Sequence, residues 1–351
     1  MNKYLYPSFL LVICLFIFSC NDDPVNPTGS YHSELSNIAA DVILHTYLEL
    51  RTASNDLAES LAQLAAIPTE QNLLVARNAW ITARSPWEKS EGFLFGPVDQ
   101  QGIDPSIDSW PVNETDLDAV LNSGESLSKS YIDGLEGTLK GFHTIEYLLF
   151  GSNGNKSISD FTARQFEYLS ACGQSLAGAT YQLHHSWDPN GENFIENLKS
   201  AGEAGQSIYP SQKSALQEIV NGMIVIADEV ANGKINDPFS QQDITLEESR
   251  FSANSKKDFA DNIRSIQNIY TGRFDAAIGL GISNIIKSKN SALDESVKQK
   301  IDAAISAIES IEGTFTSAIF NSPQSVTHAQ NEVRDLQQLL ESEVLPLITN
   351  L

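Results

Sequence analysis

Apolar residues recur along most of this 351-residue chain at spacings of three and four, the signature of helices with one buried face. Leu50, Ala53, Leu57, Leu61 and Leu64 share one such face, and Leu35, Ile38, Val42 and Ile43 extend the helix back towards Ser33. Pro68 ends it, and Thr69 stands where the cap of the next helix belongs, ahead of Leu73, Leu74, Ala76, Trp80 and Ile81. The pattern predicts further helices from about Thr115, over about 134–150, 158–187, 192–202, 211–232, 256–287, 291–321 and 324–348. No sustained two-residue alternation bounded by hairpin turns appears. The expected fold is all-α, with antiparallel bundles built from facing apolar stripes. Asp188 to Pro210 is the expected boundary between an amino-terminal bundle (31–190) and a carboxy-terminal one (191–351).

Two stretches break the helical pattern. Residues 92–113 carry Gly92, Gly96, Pro97, Gly102, Pro105 and Pro111, yet also Phe93, Leu94, Phe95, Ile103, Ile107 and Trp110. A connection with that much apolar surface is expected to pack down, and long ordered loops are often functional. At the amino end, Phe9 to Phe18 is almost wholly apolar. Ten residues make a helix of only about 15 Å, half the roughly 30 Å of a hydrocarbon core, so this reads as a secretion signal over 1–19. The signal ends in Ile17-Phe18-Ser19-Cys20, which resembles a bacterial lipobox. That likeness implies cleavage before Cys20 and a lipid on its thiol, with 20–30 as an acidic, breaker-rich tether. The plainer alternative is an ordinary signal peptide with an incidental cysteine. The lipid anchor predicts a protein of the bacterial cell envelope, held to the outer membrane by lipid alone and facing either the periplasm or the surface.

Composition narrows the function classes. Of three cysteines, Cys14 would leave with the signal and Cys20 would be lipidated, so Cys172 has no partner for an internal disulfide. Forty-five acidic against 22 basic residues give a net charge of −23, and no Lys/Arg stripe offers a footprint for nucleic acid. There is no P-loop, no dinucleotide-binding glycine motif and no nucleophile elbow.

The stretch that carries chemistry is Gly141-Phe142-His143-Thr144-Ile145-Glu146. His143 and Glu146, three apart, share a helical face among apolar neighbours, and an imidazole with a carboxylate at that spacing can ligate one metal ion. The bland alternative is that the two simply hydrogen-bond each other. Gly141 lacks a side chain where another backbone could approach. Two ligands do not make a tight site, so others must come from elsewhere. Arg84, Glu88 and Glu91 can share a face, with Glu91 opening the glycine-broken loop. Arg84 with Glu88 also reads as an ordinary i,i+4 surface pair, and Trp80 and Trp87 as core. No HExxH occurs, and HxxEH fails because Tyr147 follows Glu146. His32, His45, His184, His185 and His328 lie in no comparable motif, and the adjacent His184 and His185 diverge on a helix.

GFHTIE resembles the GxHxxE motif of the imelysin family. The run from Trp80 through Arg84, Trp87 and Glu91-Gly92-Phe93-Leu94-Phe95-Gly96-Pro97, with Ile107-Asp108-Ser109-Trp110-Pro111, is similar to two further elements of that family. Ser249-Arg250-Phe251-Ser252, followed by Asn262, Ile266, Tyr270 and Gly272, resembles its downstream signature. The likeness covers about residues 35 to 345. It implies two helical bundles with a cleft between them, and Arg84, Glu91, His143, Glu146 and Ser252 gathered near that cleft. The expected function is an envelope lipoprotein that binds a divalent metal, iron or zinc with iron favoured, or a metal-bearing ligand, in concert with iron-uptake components. His143, Glu146 and Glu91 are the expected ligands, with Arg84 and Ser252 orienting an anion. The alternative is a metallopeptidase of the imelysin type in which Glu146 serves the catalytic water; a third reading is a pseudo-site that only ties the bundles together.

Overall fold

A computed structural model describes residues 30–274 and 279–351, and among these the chain is helical without a strand. Residues 1–29, with the apolar stretch, Cys20 and nearly all of the acidic tether, lie outside the described residues. No helix among those described is long and apolar enough to cross a membrane.

Helix α1 (32–66) is continuous, with a wider π-type turn over Ile38–Leu44, and it buries Leu35, Ile38, Val42, Leu50, Leu57, Leu61 and Leu64. The apolar stripe of the sequence is thus the buried face. It stops at Ala66, two residues before Pro68. Thr69 then caps α2 (Glu70–Glu88), its hydroxyl accepting from the Asn72 amide at 3.2 Å. Helices α3 (Gly141–Phe150) and α4 (Ala163–Trp187) complete this group, with α1 lying along α2 and α4, and α3 against both of the latter. The second half contributes α5 (212–241), α6 (Ser255–Thr271), α7 (Ser291–Glu309) and α8 (Pro323–Leu339), with α7 between α6 and α8. Helix α6 also packs on α2, and the buried apolar residues of both halves form one contiguous core. The amino end of α1 is tied to the second half as well: the Asn37 amide donates to the carbonyls of Gly272 and Leu280.

The loop over 92–113 does pack down. Phe93 and Phe95 are buried against Tyr47 and Trp187, with ring centroids 5.5 and 6.0 Å apart, and Ile103 and Ile107 are buried too. Its first turn is wedged against α5, where a Cβ on Gly222 would stand 2.3 Å from the Gly92 carbonyl oxygen. The Ser265 hydroxyl on α6 accepts from the Gly92 amide at 2.7 Å. Glu91 is thereby held between the two halves of the molecule.

Several helices are shorter than their patterns predict: the span expected over 192–202 is helical only at Ile195–Lys199, the α-helix expected over 158–187 starts at Ala163, and the one expected over 291–321 is interrupted between Glu309 and Phe315. The helix expected over 134–150 begins at Gly141, and the one expected over 256–287 is broken at Gly272, which closes α6 in the left-handed conformation (φ +65°). Gly141 has φ +73°, and a Cβ there would stand 2.3 Å from the Ile107 carbonyl oxygen. The glycine lets the loop backbone lie directly against the start of α3, which places Asp108 beside His143. Gly141→Ala introduces both a left-handed strain and a backbone clash. It is expected to lower unfolding stability in urea by about 1–3 kcal/mol; an unchanged midpoint would show that the close approach is not a constraint.

Candidate functional site

Arg84 is the organising residue. Fully buried on α2, its guanidinium meets Glu88 one turn on, Asp108 at 2.5 Å, Glu248 at 2.7 Å and Asp258 at 3.5 Å. These carboxylates come from α2, the packed-down loop, the segment before α6, and α6 itself. The planar five-donor fork suits this role where a lysine would not. Arg84 Nε finds Asp258 only at that longer distance and has no well-aligned acceptor.

His143, on the first turn of α3, faces the same cluster. Its Nε2 is 2.8 Å from Asp108 Oδ1 and 3.6 Å from Glu248 Oε1, and its Nδ1 is 3.3 Å from Glu146 Oε2. The Nε2–Asp108 contact is close but poorly aligned as a hydrogen bond, so it is chiefly electrostatic. Glu146 is fixed from its other side: the Ser252 amide and hydroxyl both donate to its Oε1, at 2.8 and 2.7 Å. The loop that presents Ser252 is bounded by Ser249 (φ 53°) and Ala253 (φ 58°), two non-glycine residues in the left-handed region. That strain persists because the loop is held at Glu146 and at Ser255, whose hydroxyl donates to the Glu248 carbonyl. Trp87 belongs to the core as expected, and its indole N–H also donates to Asp108 Oδ2 at 2.5 Å.

A second cation enters from α5. Lys234 Nζ lies 2.7 Å from Glu91, 3.0 Å from Glu248 and 3.6 Å from Glu88. Asn262 on α6 donates to Glu88 at 2.6 Å and Glu91 at 3.0 Å. The cluster therefore holds six buried carboxyl groups (Glu88, Glu91, Asp108, Glu146, Glu248 and Asp258) against two obligate cations and one imidazole. Burial raises Glu88 to about 8 despite Arg84 and Lys234, and raises Asp258 to about 6 despite Arg84. Burial together with Glu88 pushes Glu91 well above the usual carboxyl range. Burial works against ionised Asp108 and Glu248, yet Arg84 and His143 hold Asp108 well below its ordinary value, and Lys234, His143 and Arg84 hold Glu248 at about 2. Burial also disfavours charged His143, but Asp108 outweighs it and raises the imidazole well above its ordinary value.

Not every expected site residue lands where the sequence reading places it. His143 and Glu146 face each other at the centre, and Ser252 meets Glu146. His143, Glu146 and Glu91 do not converge as one ligand set. Among the described residues, the side chains whose ligand atoms lie within 4.8 Å of one another are Asp108, His143 and Glu248, and separately Glu88, Glu91, Asp108 and Glu248. Glu91 is turned towards Lys234 and Asn262, because the Gly92 turn is pinned between α5 and α6. Arg84 faces the chain's own carboxylates in place of an external anion, and its pair with Glu88 is fully buried, not a surface pair. Asp108, Glu248, Lys234 and Asp258 are the additions. Asp108 lies inside the Ile107-to-Pro111 element and Glu248 directly precedes Ser249-Arg250, so a charged residue adjoining a recognised element was the available signal. Lys234 lies past the expected end of its helix and carried none.

A nitrogen and two carboxylates make a donor set suited to iron, zinc or manganese. Asp108, His143 and Glu248 fit a divalent ion on two observations: the poorly aligned, buried Nε2, and the excess of carboxyl groups over cations. The recess beside His143 and Glu146, bounded by Trp110, Pro111, Arg250 and Phe251, has a volume of about 20 Å³, room for one water-sized body. A roomier hollow of about 890 Å³, at Ala62, Leu127 and Phe166, contains none of these charged groups.

The raised groups give the protein a pH dependence. Glu88, Glu91, Asp258 and His143 each bind a proton more tightly folded than unfolded, so the stability they contribute is complete at low pH and lost as pH rises. With Glu88 shifted from 4.5 to about 8, the ion-free protein is expected to lose melting temperature steadily between pH 5 and 8. Glu88→Gln should flatten that slope; a melting temperature that is constant or rises over the interval would contradict the buried surplus.

The comparisons with known proteins agree with this architecture. The family model described as imelysin matches residues 43–342. Iron-regulated protein A of Synechococcus elongatus is 28% identical over 314 residues, 88% of this chain and 84% of that protein. A crystal structure described as an iron-regulated protein A precursor from Parabacteroides distasonis superposes with a TM-score of 0.83 at 25% identity, covering 92% of this chain and 97% of that one. An imelysin-like protein from Psychrobacter arcticum, 14% identical, shares the fold with a TM-score of 0.71 over 90% of this chain and 94% of its own. With the all-α fold, the GxHxxE helix and a family match over most of its length, this chain belongs to the imelysin family.

Proposed function

We propose that the protein binds a divalent metal ion, iron foremost, through His143 Nε2 and the carboxylates of Asp108 and Glu248. The reading rests above all on one observation: a buried imidazole nitrogen without a well-aligned partner faces two carboxylates in a cluster that has more acids than cations. Glu146 then serves as the group that orients the ligand. A ligating histidine commonly gives its other ring N–H to a carboxylate, which fixes the tautomer and the ring. Glu146 at Nδ1, itself held by Ser252, is placed to do this and leaves Nε2 free for the ion. Arg84 and Trp87 keep Asp108 in position, and Lys234 does the same for Glu248. A bound ion supplies the missing positive charge, and its arrival displaces the protons that the imidazole and the raised carboxyls otherwise hold.

Iron is favoured because the relatives from Synechococcus elongatus and Parabacteroides distasonis are both described as iron-regulated protein A. The recess of about 20 Å³ has no room for an extended peptide, which favours capture of an ion over peptide cleavage. Attachment to the cell envelope through a lipidated Cys20, with delivery of the ion to uptake components, completes the proposal.

Calorimetric titration with iron(II) under anaerobic conditions, or with zinc(II), tests the assignment. His143→Ala and Asp108→Ala should abolish measurable binding. Glu146→Gln should weaken it by roughly 10–100-fold, the usual cost of losing a group that orients a ligand. Wild-type affinity in the folded His143→Ala protein would refute the ligand set.

A further inference from the structure

The two groups of converging ligand atoms share two members, Asp108 and Glu248. Carboxylates shared between neighbouring cation positions are the hallmark of two-metal centres in helical bundles, where acidic side chains from several helices face inward. Here the first position would be completed by His143. The second would be completed by Glu88, the last residue of α2, and Glu91, three residues on in the first turn of the loop. That second group already contains a cation. Lys234 Nζ touches Glu91, Glu248 and Glu88 at 2.7, 3.0 and 3.6 Å, so it contacts three of the group's four carboxylates directly. Its side chain is 2% exposed, and it reaches the cluster from α5.

We infer that the Lys234 ammonium occupies the second cation position of a carboxylate-bridged pair, so that the chain takes one divalent ion where its acids alone would take two. This inference rests on the proposed ion at His143, Asp108 and Glu248. Arg84 does not fill that role. Its fork is spread over Glu88, Asp108, Glu248 and Asp258, and Asp258 belongs to neither ligand group. Lys234 is a compact point charge within the acids themselves, as a bound ion would be. Asn262, donating to both Glu88 and Glu91, keeps those two acids turned towards the ammonium. The tethered charge has a functional consequence. A permanent cation beside the bridging acids lowers the negative potential at the first position, and it keeps that position single and exchangeable.

The test is the number of ions bound. Wild type, Lys234→Ala and the double variant Lys234→Ala/Glu91→Gln are dialysed against manganese(II) and, separately, zinc(II), and the metal per chain is measured by elemental analysis. The expected values are one for wild type, two for Lys234→Ala and one for the double variant. Manganese should also raise the melting temperature of Lys234→Ala by more than that of wild type, because the ion replaces a missing internal charge. One ion in both wild type and Lys234→Ala overturns the inference and leaves the first site standing, and two ions in wild type overturn it as well. No ion in wild type with one in Lys234→Ala overturns the first site and keeps the role of Lys234. If Lys234→Ala folds only when manganese is present, the inference is supported. If neither Lys234→Ala nor Lys234→Gln folds even in excess manganese, a divalent ion cannot take the place of the ammonium and the inference fails.

Discussion

The structure depends on the pairing of one buried guanidinium with four carboxylates drawn from separate parts of the chain. Arg84 joins Glu88 of its own helix, Asp108 of the packed-down loop, Glu248 before α6 and Asp258 within it. Removing a guanidinium and several carboxylates from water is costly unless each finds a partner. The cost is tolerated here only because the segments that carry them meet at one point. The same electrostatic knot links the amino-terminal helices to the carboxy-terminal ones, beneath a core that runs through both.

That knot is not neutral. With Lys234 included, the cluster still has more acids than cations, and burial in the ion-free protein favours the protonated forms of Glu88 and Glu91. Protons are a replaceable solution, and a divalent cation is another. The arrangement of His143 fits the exchange, since Glu146 and Ser252 fix the ring from behind while its Nε2 faces Asp108 and Glu248. On the proposed assignment, the GxHxxE pair supplies one ligand and the residue that orients it. This differs from a pair of ligands, and it explains why Glu146 is so firmly held by a strained loop.

Much of the fold was legible in the sequence because a helix with one buried face repeats its apolar residues at a fixed period. The α1 stripe, the stop at Pro68 and the Thr69 cap are all local signals. The apolar loop over 92–113 was legible as something that must pack, and Gly141 as a place for backbone approach. What the approach delivers was not, because Asp108 reaches His143 through a contact between residues distant in sequence. The same limit hid Glu248, which meets Arg84 from 164 positions away, Asp258, which joins it from α6, and Lys234, which meets Glu91 from 143 positions away. Glu91 was misplaced for a related reason. Its position at the mouth of the loop is visible in the sequence, but its direction is set by the Ser265 contact to Gly92 and by the α5 backbone, neither of which has a local signature.

The central claim is that the surplus of buried acid is answered by a cation at His143, Asp108 and Glu248. Anomalous diffraction from crystals of the protein soaked in iron(II) or manganese(II), collected on both sides of the metal's absorption edge, tests it directly. The account predicts one strong peak within bonding reach of His143 Nε2 and of both carboxylates, with Glu146 remaining on the Nδ1 side of the ring. A peak coordinated instead by Glu146 and Glu91, or none at saturating metal, would contradict it.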